Sequence, residues 1–205
     1  MTGSAVDARR FAPATQRNRG PILEVLRSVL PTEGCVLEIA SGTGEHAVWF
    51  AQALPALIFR PSDPDAVNRA SSEAWIAHAR LPNVRAPLAL DAMDPGWILP
   101  EPPVALVCIN MIHISPWAAT LGLMRNAAAA LSSAGVLYLY GPFKRGGVHT
   151  APSNAEFDAS LRVRDDSWGV RDLESVVALA DGSGFELAQV STMPANNLSV
   201  VFRRG

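Results

Sequence analysis

Val36-Leu37-Glu38-Ile39-Ala40-Ser41-Gly42-Thr43-Gly44-Glu45-His46 decides the fold, because an apolar run passes through two closely spaced glycines into a segment with helical spacing. The near-continuous apolar run suits a strand covered on both faces, and Ala47, Val48, Ala51 and Leu54 then recur on one face of a helix. In an open α/β sheet, such a strand-to-helix turn lies at the carboxyl ends of the strands, where ligands bind. Glycines there let backbone approach a ligand, although short glycine pairs also serve as plain turns.

The flanking sequence repeats the pattern. Apolar runs at Cys35–Ala40, Ala56–Arg60, Ala86–Leu90, Val104–Asn110 and Val136–Tyr140 read as strands. Helical patterns separate them: Ile22, Leu23, Leu26, Val29 and Leu30 before the first strand, then Asp65–Ala79, Ala118–Leu131 and Asp172–Ala180, the last closed by Gly182 and Gly184. This alternation predicts a parallel sheet with right-handed crossovers. The ending differs, because Phe185–Thr192 and Leu198–Arg203 are separated only by Met193-Pro194-Ala195-Asn196-Asn197, too few residues for a crossover helix. They form an antiparallel hairpin. The expected fold is α/β and doubly wound, a Rossmann-like seven-stranded sheet, mostly parallel, with a C-terminal antiparallel β-hairpin.

A chain of 205 residues suits a single domain, 1–205, with an N-terminal arm over residues 1–20 and a lid-like insertion over 141–168. Hydrophobic residues at 49% and charged residues at 18% exclude a disordered or collagenous chain. Seventeen Lys+Arg against nineteen Asp+Glu give a net charge of -2, which offers no global field for nucleic acid or an acidic membrane face. Cys35 and Cys108 lie in apolar runs at different heights on their strands, so they read as buried thiols beyond disulfide reach. No apolar run spans a bilayer, and a cytoplasmic location is expected. His46, His78, His113 and His149 are far apart, without metal-ligand spacing, so no metal is expected.

Two nucleotide readings compete at the glycine turn. Gly42-Thr43-Gly44-Glu45-His46-Ala47 satisfies the dinucleotide pattern with alanine last, and Asp63 follows at the distance of a ribose-binding acid. Glu38 and Glu45, however, would face a pyrophosphate whose binding depends on a positive helix end. S-adenosylmethionine has no phosphate and carries a sulfonium and an ammonium, which an acidic pocket favours. Asp63 can accept both ribose hydroxyls, and Asp91 can receive an adenine amino group while Met93 packs on the ring. Either acid could instead serve as a helix cap.

Leu37-Glu38-Ile39-Ala40-Ser41-Gly42-Thr43-Gly44 resembles the first motif of class I S-adenosylmethionine-dependent methyltransferases, with Ala40 replacing the usual first glycine. More narrowly, Arg10-Phe11-Ala12-Pro13-Ala14-Thr15-Gln16-Arg17-Asn18, Pro61-Ser62-Asp63, Asn110-Met111-Ile112-His113-Ile114-Ser115-Pro116-Trp117 and Gly141-Pro142-Phe143-Lys144 resemble the methyltransferase-like 26 group. The resemblance implies the cofactor and the fold and leaves the acceptor open. The expected cofactor contacts are Glu38, Ala40, Gly42, Gly44, Asp63, Asp91, Met93 and Asn110, joined by Arg17 and Asn18 of the arm.

In the expected fold, Asn110 to Trp117 border the approach to the sulfonium. His113 there is a candidate general base, with Asn110 beside it, although a histidine bonding a loop carbonyl is an equal reading. Tyr140, Phe143, Lys144 and Asn154, in or next to the glycine-rich segment, are candidate acceptor contacts. The leading expectation is a methyltransferase acting on a small molecule. A non-catalytic S-adenosylmethionine-binding protein and an NAD-dependent oxidoreductase are the rivals.

Overall fold

The computed structural model describes residues 7–205, so residues 1–6 of the expected arm lie outside the described residues. The strands are β1 (Gly34–Ile39), β2 (Leu57–Pro61), β3 (Pro103–Ile109), β4 (Val136–Arg145), β5 (Val148–His149), β6 (Arg171–Asp172), β7 (Phe185–Met193) and β8 (Asn197–Arg204). The helices are α1 (Pro13–Val29), α2 (Glu45–Ala53), α3 (Ala66–Ala79), α4 (Trp117–Ala130), α5 (Pro152–Arg164) and α6 (Leu173–Gly182). The main sheet runs β2-β1-β3-β4-β8-β7. Neighbours from β2 to β4 are parallel, and β8 joins β4 and β7 antiparallel, as the short hairpin turn requires.

Period-two alternation divides the strand residues between two cores. Leu37, Ile39, Leu106, Cys108, Leu137 and Leu139 face Leu123, Met124 and Ala127 of α4 and Val176 of α6. Val36, Ala105, Val107, Val136 and Tyr138 face Ile22 and Leu26 of α1 and Phe50 of α2. Helices on both faces make the doubly wound arrangement expected from the sequence. Cys108 pairs in register with Ile39, four residues beyond Cys35, and both thiols are free and buried.

Three expectations need correction. The run Ala86–Leu90 is not a regular strand: it meets the β2 edge through the isolated parallel bridge Ser62–Leu88, with a second, Phe59–Val84, just before it. Pro87 lacks the N–H a ladder needs, so the segment takes the seventh sheet position as an irregular edge ribbon. Residues Arg10–Asn18 do not all precede the first helix, because α1 begins at Pro13, a proline suited to a first helical turn, and so includes Arg17 and Asn18. The segment 141–168 is not a structureless loop: β4 continues to Arg145, β5 turns back on it, and α5 follows.

The two glycines of the turn have different jobs. A Cβ on Gly42, at φ +56°, would meet nothing within 4 Å, whereas one on Gly44 would lie 2.6 Å from the Ser72 Cα of α3. Alanine already occupies the left-handed region nearby, at Ala40 with φ +54°. Gly42→Ala is therefore expected to cost about 1 kcal/mol, and Gly44→Ala about 2 to 4 kcal/mol. Urea unfolding of the two variants checks this, and equal losses would contradict it.

Candidate functional site

The carboxyl ends of β1 and β2 are laced together. Ser41 N–H donates to Ser62 O at 2.8 Å, Ser62 Oγ donates to the Glu38 carbonyl at 2.7 Å, and Gly42 N–H donates to Asp63 Oδ2 at 2.9 Å. Asp63 Oδ1 accepts from Asp65 N–H at 2.9 Å and Asn68 Nδ2 at 3.1 Å, so Oδ2 is the oxygen with spare capacity. The Glu38 side chain is buried, and its Oε2 has no hydrogen-bond partner. Burial pushes its carboxyl up to about 8, with the Ser41 hydroxyl opposing and the nearby Asp63 charge adding to the rise.

Beside Glu38 lies His46, from the first turn of α2, with Nδ1 3.9 Å from Glu38 Oε1. Its Nε2 donates to Asn18 Oδ1 at 2.8 Å, and its ring stacks on Phe50 at 5.4 Å. Burial drives the imidazole down to about 3, so it is neutral, and the bond to Asn18 assigns the proton to Nε2. That bond leaves the Asn18 Nδ2 group unused, and the nearby Asn18 amide opposes the rise that burial gives the Tyr140 hydroxyl. Glu45 has a different part from the one expected, because its Oε2 accepts from Ala12 N–H at 2.6 Å and from Thr43 Oγ1 at 3.1 Å. It anchors the chain entering α1. Arg10 N–H donates to Ser71 Oγ at 2.8 Å, and Trp75 Nε1 donates to Arg10 O at 2.9 Å, strapping the same segment over α3.

A cavity of about 520 Å³ opens between α1, the ends of β3 and β4, α5 and the β7–β8 turn. Arg17, Asn18, Asn110, Tyr140 and Asn154, all singled out in the sequence, line it together. Asn110 sits at φ +64°, a left-handed conformation asparagine tolerates, at the point where β3 gives way to a turn of 3-10 helix.

Other expected residues lie elsewhere. His113 is fully buried behind the cavity wall, edge-on to Phe143 at 4.9 Å, with Nδ1 accepting from Arg171 N–H at 3.3 Å. Burial drives it down to about 3, so it has neither the access nor the basicity of a general base near neutral pH. A Cβ at Gly141 would lie 2.5 Å from its Nε2, so a glycine makes room for the ring. Phe143 is also wholly buried and cannot touch an acceptor. Lys144 pairs with Asp158 at 3.3 Å, in a cluster where Asp158 also faces His149 at 3.3 Å and Arg162 at 3.4 Å. Burial would raise the Asp158 carboxyl, but Val170 N–H and Lys144 hold it below the usual carboxylate range. Asp91 Oδ1 accepts from Met93 N–H at 2.8 Å, and Met93 is exposed. Ala40 stands at the end of β1, and Gly44 is fixed by packing on α3.

Phe157 and Ser153 of α5, and Pro194, Ala195 and Asn197 of the β7–β8 turn, line the cavity without having been singled out. The signal for α5 was faint. Its buried residues Asn154, Asp158 and Leu161 recur at helical spacing, yet only one is apolar. His46 adjoins the glycine turn, and nothing in its spacing marks it as a partner of Asn18.

Among the described residues no group of three His, Cys, Asp or Glu side chains could hold a metal ion, and no helix is long and apolar enough to cross a membrane. The model of the family described as "Protein of unknown function (DUF938)" matches residues 9–204. The chain belongs to the DUF938 family. Among solved structures, it is similar to an O-methyltransferase family protein from Burkholderia thailandensis at TM-score 0.80 and 15% identity, covering 94% of this chain and 57% of that one. It is also similar to TnmH, at TM-score 0.77 and 20% identity, covering 94% of this chain and 55% of that one. The mitomycin 7-O-methyltransferase MmcR matches at TM-score 0.79 and 15% identity, covering 94% of this chain and 54% of that one. This DUF938 chain thus has the Rossmann-like fold of these methyltransferases and spans little more than half their length.

The buried groups set a pH profile for stability. Between pH 4.5 and 6.5 the unfolded chain holds two protons on His46 and His113, and the folded chain holds one on Glu38. Stability therefore rises with pH there, by ~1.4 kcal/mol per unit. Between 6.5 and about 8 only the folded Glu38 holds a proton, so stability falls as pH rises. Urea melts across this range are expected to show a maximum near pH 6.5, with the alkaline decline absent in Glu38→Gln; a flat profile would contradict these assignments.

Proposed function

We propose that this chain is an S-adenosylmethionine-dependent methyltransferase acting on a small-molecule acceptor, of the class I type and akin to the methyltransferase-like 26 group. The observation that carries this reading is the buried, unpartnered Glu38 Oε2 beside the open backbone cradle at Gly42. A buried carboxyl without a partner suits a cationic ligand, whose charge would stabilise the carboxylate form. The residues present fit the cofactor. Glu38 would take its ammonium, Ala40 and Gly42 would present backbone, Asp63 Oδ2 would accept from the ribose, and Asp91 and Met93 would border the base.

When bound, S-adenosylmethionine supplies a methyl group on a sulfonium. Asn110, Tyr140 and Asn154 line the cavity together, and there Asn110 would border the methyl donor while Tyr140 and Asn154 would orient the acceptor. Among the described residues, the cavity lining contains no histidine, lysine, cysteine or carboxylate. Proximity and alignment are then the chain's main contribution, and the acceptor loses its proton to solvent or arrives ionised. Ala14, Arg17 and Asn18 of α1 and Ser153, Asn154 and Phe157 of α5 would border the acceptor, and the buried free thiols suit a cytoplasmic setting.

Titration calorimetry with S-adenosylhomocysteine tests the reading. Pairing with the ligand ammonium stabilises the Glu38 carboxylate, so binding releases a proton below about pH 8. Affinity is expected to rise with pH from 6 to 8, by up to about tenfold per unit, and Glu38→Gln is expected to bind more weakly without that dependence. No heat and no thermal shift at millimolar ligand would end the reading. Tight binding without turnover of any acceptor would favour a cofactor-binding protein instead.

A further inference from the structure

Resting on that reading, we infer that the cavity between α1, α5 and the β7–β8 turn takes a planar, hydroxylated acceptor bearing an oxyanion, and that Arg17 is the residue that pairs with the oxyanion. Arg17 is the only charged side chain in the lining and, among the described residues, enters no ion pair. Other arginines are engaged: Arg19 lies over the Trp49 ring at 3.9 Å, Arg60 pairs with Glu101 at 2.8 Å, and Arg171 donates to the Ile112 carbonyl at 2.8 Å. A guanidinium facing a cavity free of carboxylates offers a planar fork to a carboxylate or phosphate.

The neutral groups carry a matching polarity. At the α1 end, His46 occupies the Asn18 carbonyl oxygen, so the amide nitrogen is left as a donor next to the Tyr140 hydroxyl and Arg17. On α5 and at the β7–β8 turn the amides are reversed. Asn154 Nδ2 donates to Thr150 Oγ1 and the Asn196 carbonyl, and Asn197 Nδ2 donates to the Pro194 and Ala195 carbonyls. Their Oδ1 atoms remain as acceptors for a ligand hydroxyl. Phe157 and Ile114 line the same cavity beside Asn110 and Ser153 and are 39% and 41% exposed, large apolar surfaces for a ring to cover. Donors on α1, acceptors on α5 and the β7–β8 turn, and exposed apolar side chains in the same lining describe a hydroxylated aryl carboxylate or aryl phosphate.

The test uses the full chain saturated with S-adenosylhomocysteine, with 4-hydroxybenzoate, its uncharged methyl ester and phenyl phosphate as probes, read by calorimetry or ligand-observed NMR. The acid or the phosphate is expected to bind saturably and at least tenfold more tightly than the ester. Arg17→Gln is expected to weaken the anion at least tenfold while changing S-adenosylhomocysteine affinity less than twofold, with Arg17→Lys between. Failure of both anions to bind, equal binding of the ester, or an Arg17→Gln variant that keeps the anion would overturn the proposal. So would Arg17→Gln weakening S-adenosylhomocysteine as much as the anion, since Arg17 would then serve the cofactor. If S-adenosylhomocysteine does not bind at all, the methyltransferase reading fails, and Arg17-dependent anion binding to the free chain still decides the cavity assignment.

Discussion

The constraint on which the rest of the structure depends is the lacing of the β1 and β2 ends. The backbone must turn left-handed at Ala40, open at Gly42 and press against α3 at Gly44 within five residues. Ser41, Ser62 and Asp63 supply the partners that hold this path: two hydroxyls on the Glu38 carbonyl and one carboxylate oxygen on the Gly42 amide. Because these polar groups are satisfied by one another, the strand ends can be buried while the Glu38 carboxyl is left over. An unpartnered buried acid is costly, and a cationic ligand is the partner that would offset that cost.

Much of this was legible in the sequence, for identifiable reasons. Core strands buried on both faces leave runs such as Val104–Ile109 that few other structures produce, and the short Met193–Asn197 connection left the last pair no choice but a hairpin. What failed to show followed from tertiary context overriding local pattern. Pro87 interrupts an apolar run that lies on a sheet edge, and Asn154 and Asp158 stand where a helix normally buries apolar residues, so α5 looked like loop. Asn110, Tyr140, Asn18, Arg17 and Asn154 meet around one cavity because the topology brings strand ends, α1 and α5 together. His113, for which a purely structural role was an equal reading, and Lys144 are placed by the opposite effect. Residue type suggested chemistry, and burial in one case and the Asp158 cluster in the other give them structural work.

The two buried histidines are alike in charge and different in use. Both are neutral through desolvation, and each keeps one ring nitrogen bonded, His113 to a backbone amide and His46 to a side-chain amide. Only the second bond reaches the cavity. By fixing the Asn18 carbonyl oxygen through its Nε2–H, His46 acts on the site without touching what binds there, a positioning role.

Helix α1 completes this arrangement through an apparent defect. Pro21 lies inside it and has no N–H to offer the Arg17 carbonyl, an interruption that costs an isolated helix ~3 kcal/mol. The helix persists because its halves are anchored separately. Ile22, Leu23, Leu26 and Val29 are buried against the sheet, and the entry is held by Glu45, Ser71 and Trp75 through Arg10 and Ala12. Arg17 and Asn18 sit in the turn between these anchorages, the least internally bonded part of α1, and they are the two residues that this helix presents to the cavity with polar side chains. A stretch of helix held from both ends and weakened at its centre can place a guanidinium and an amide against a ligand without depending on its own hydrogen-bond ladder.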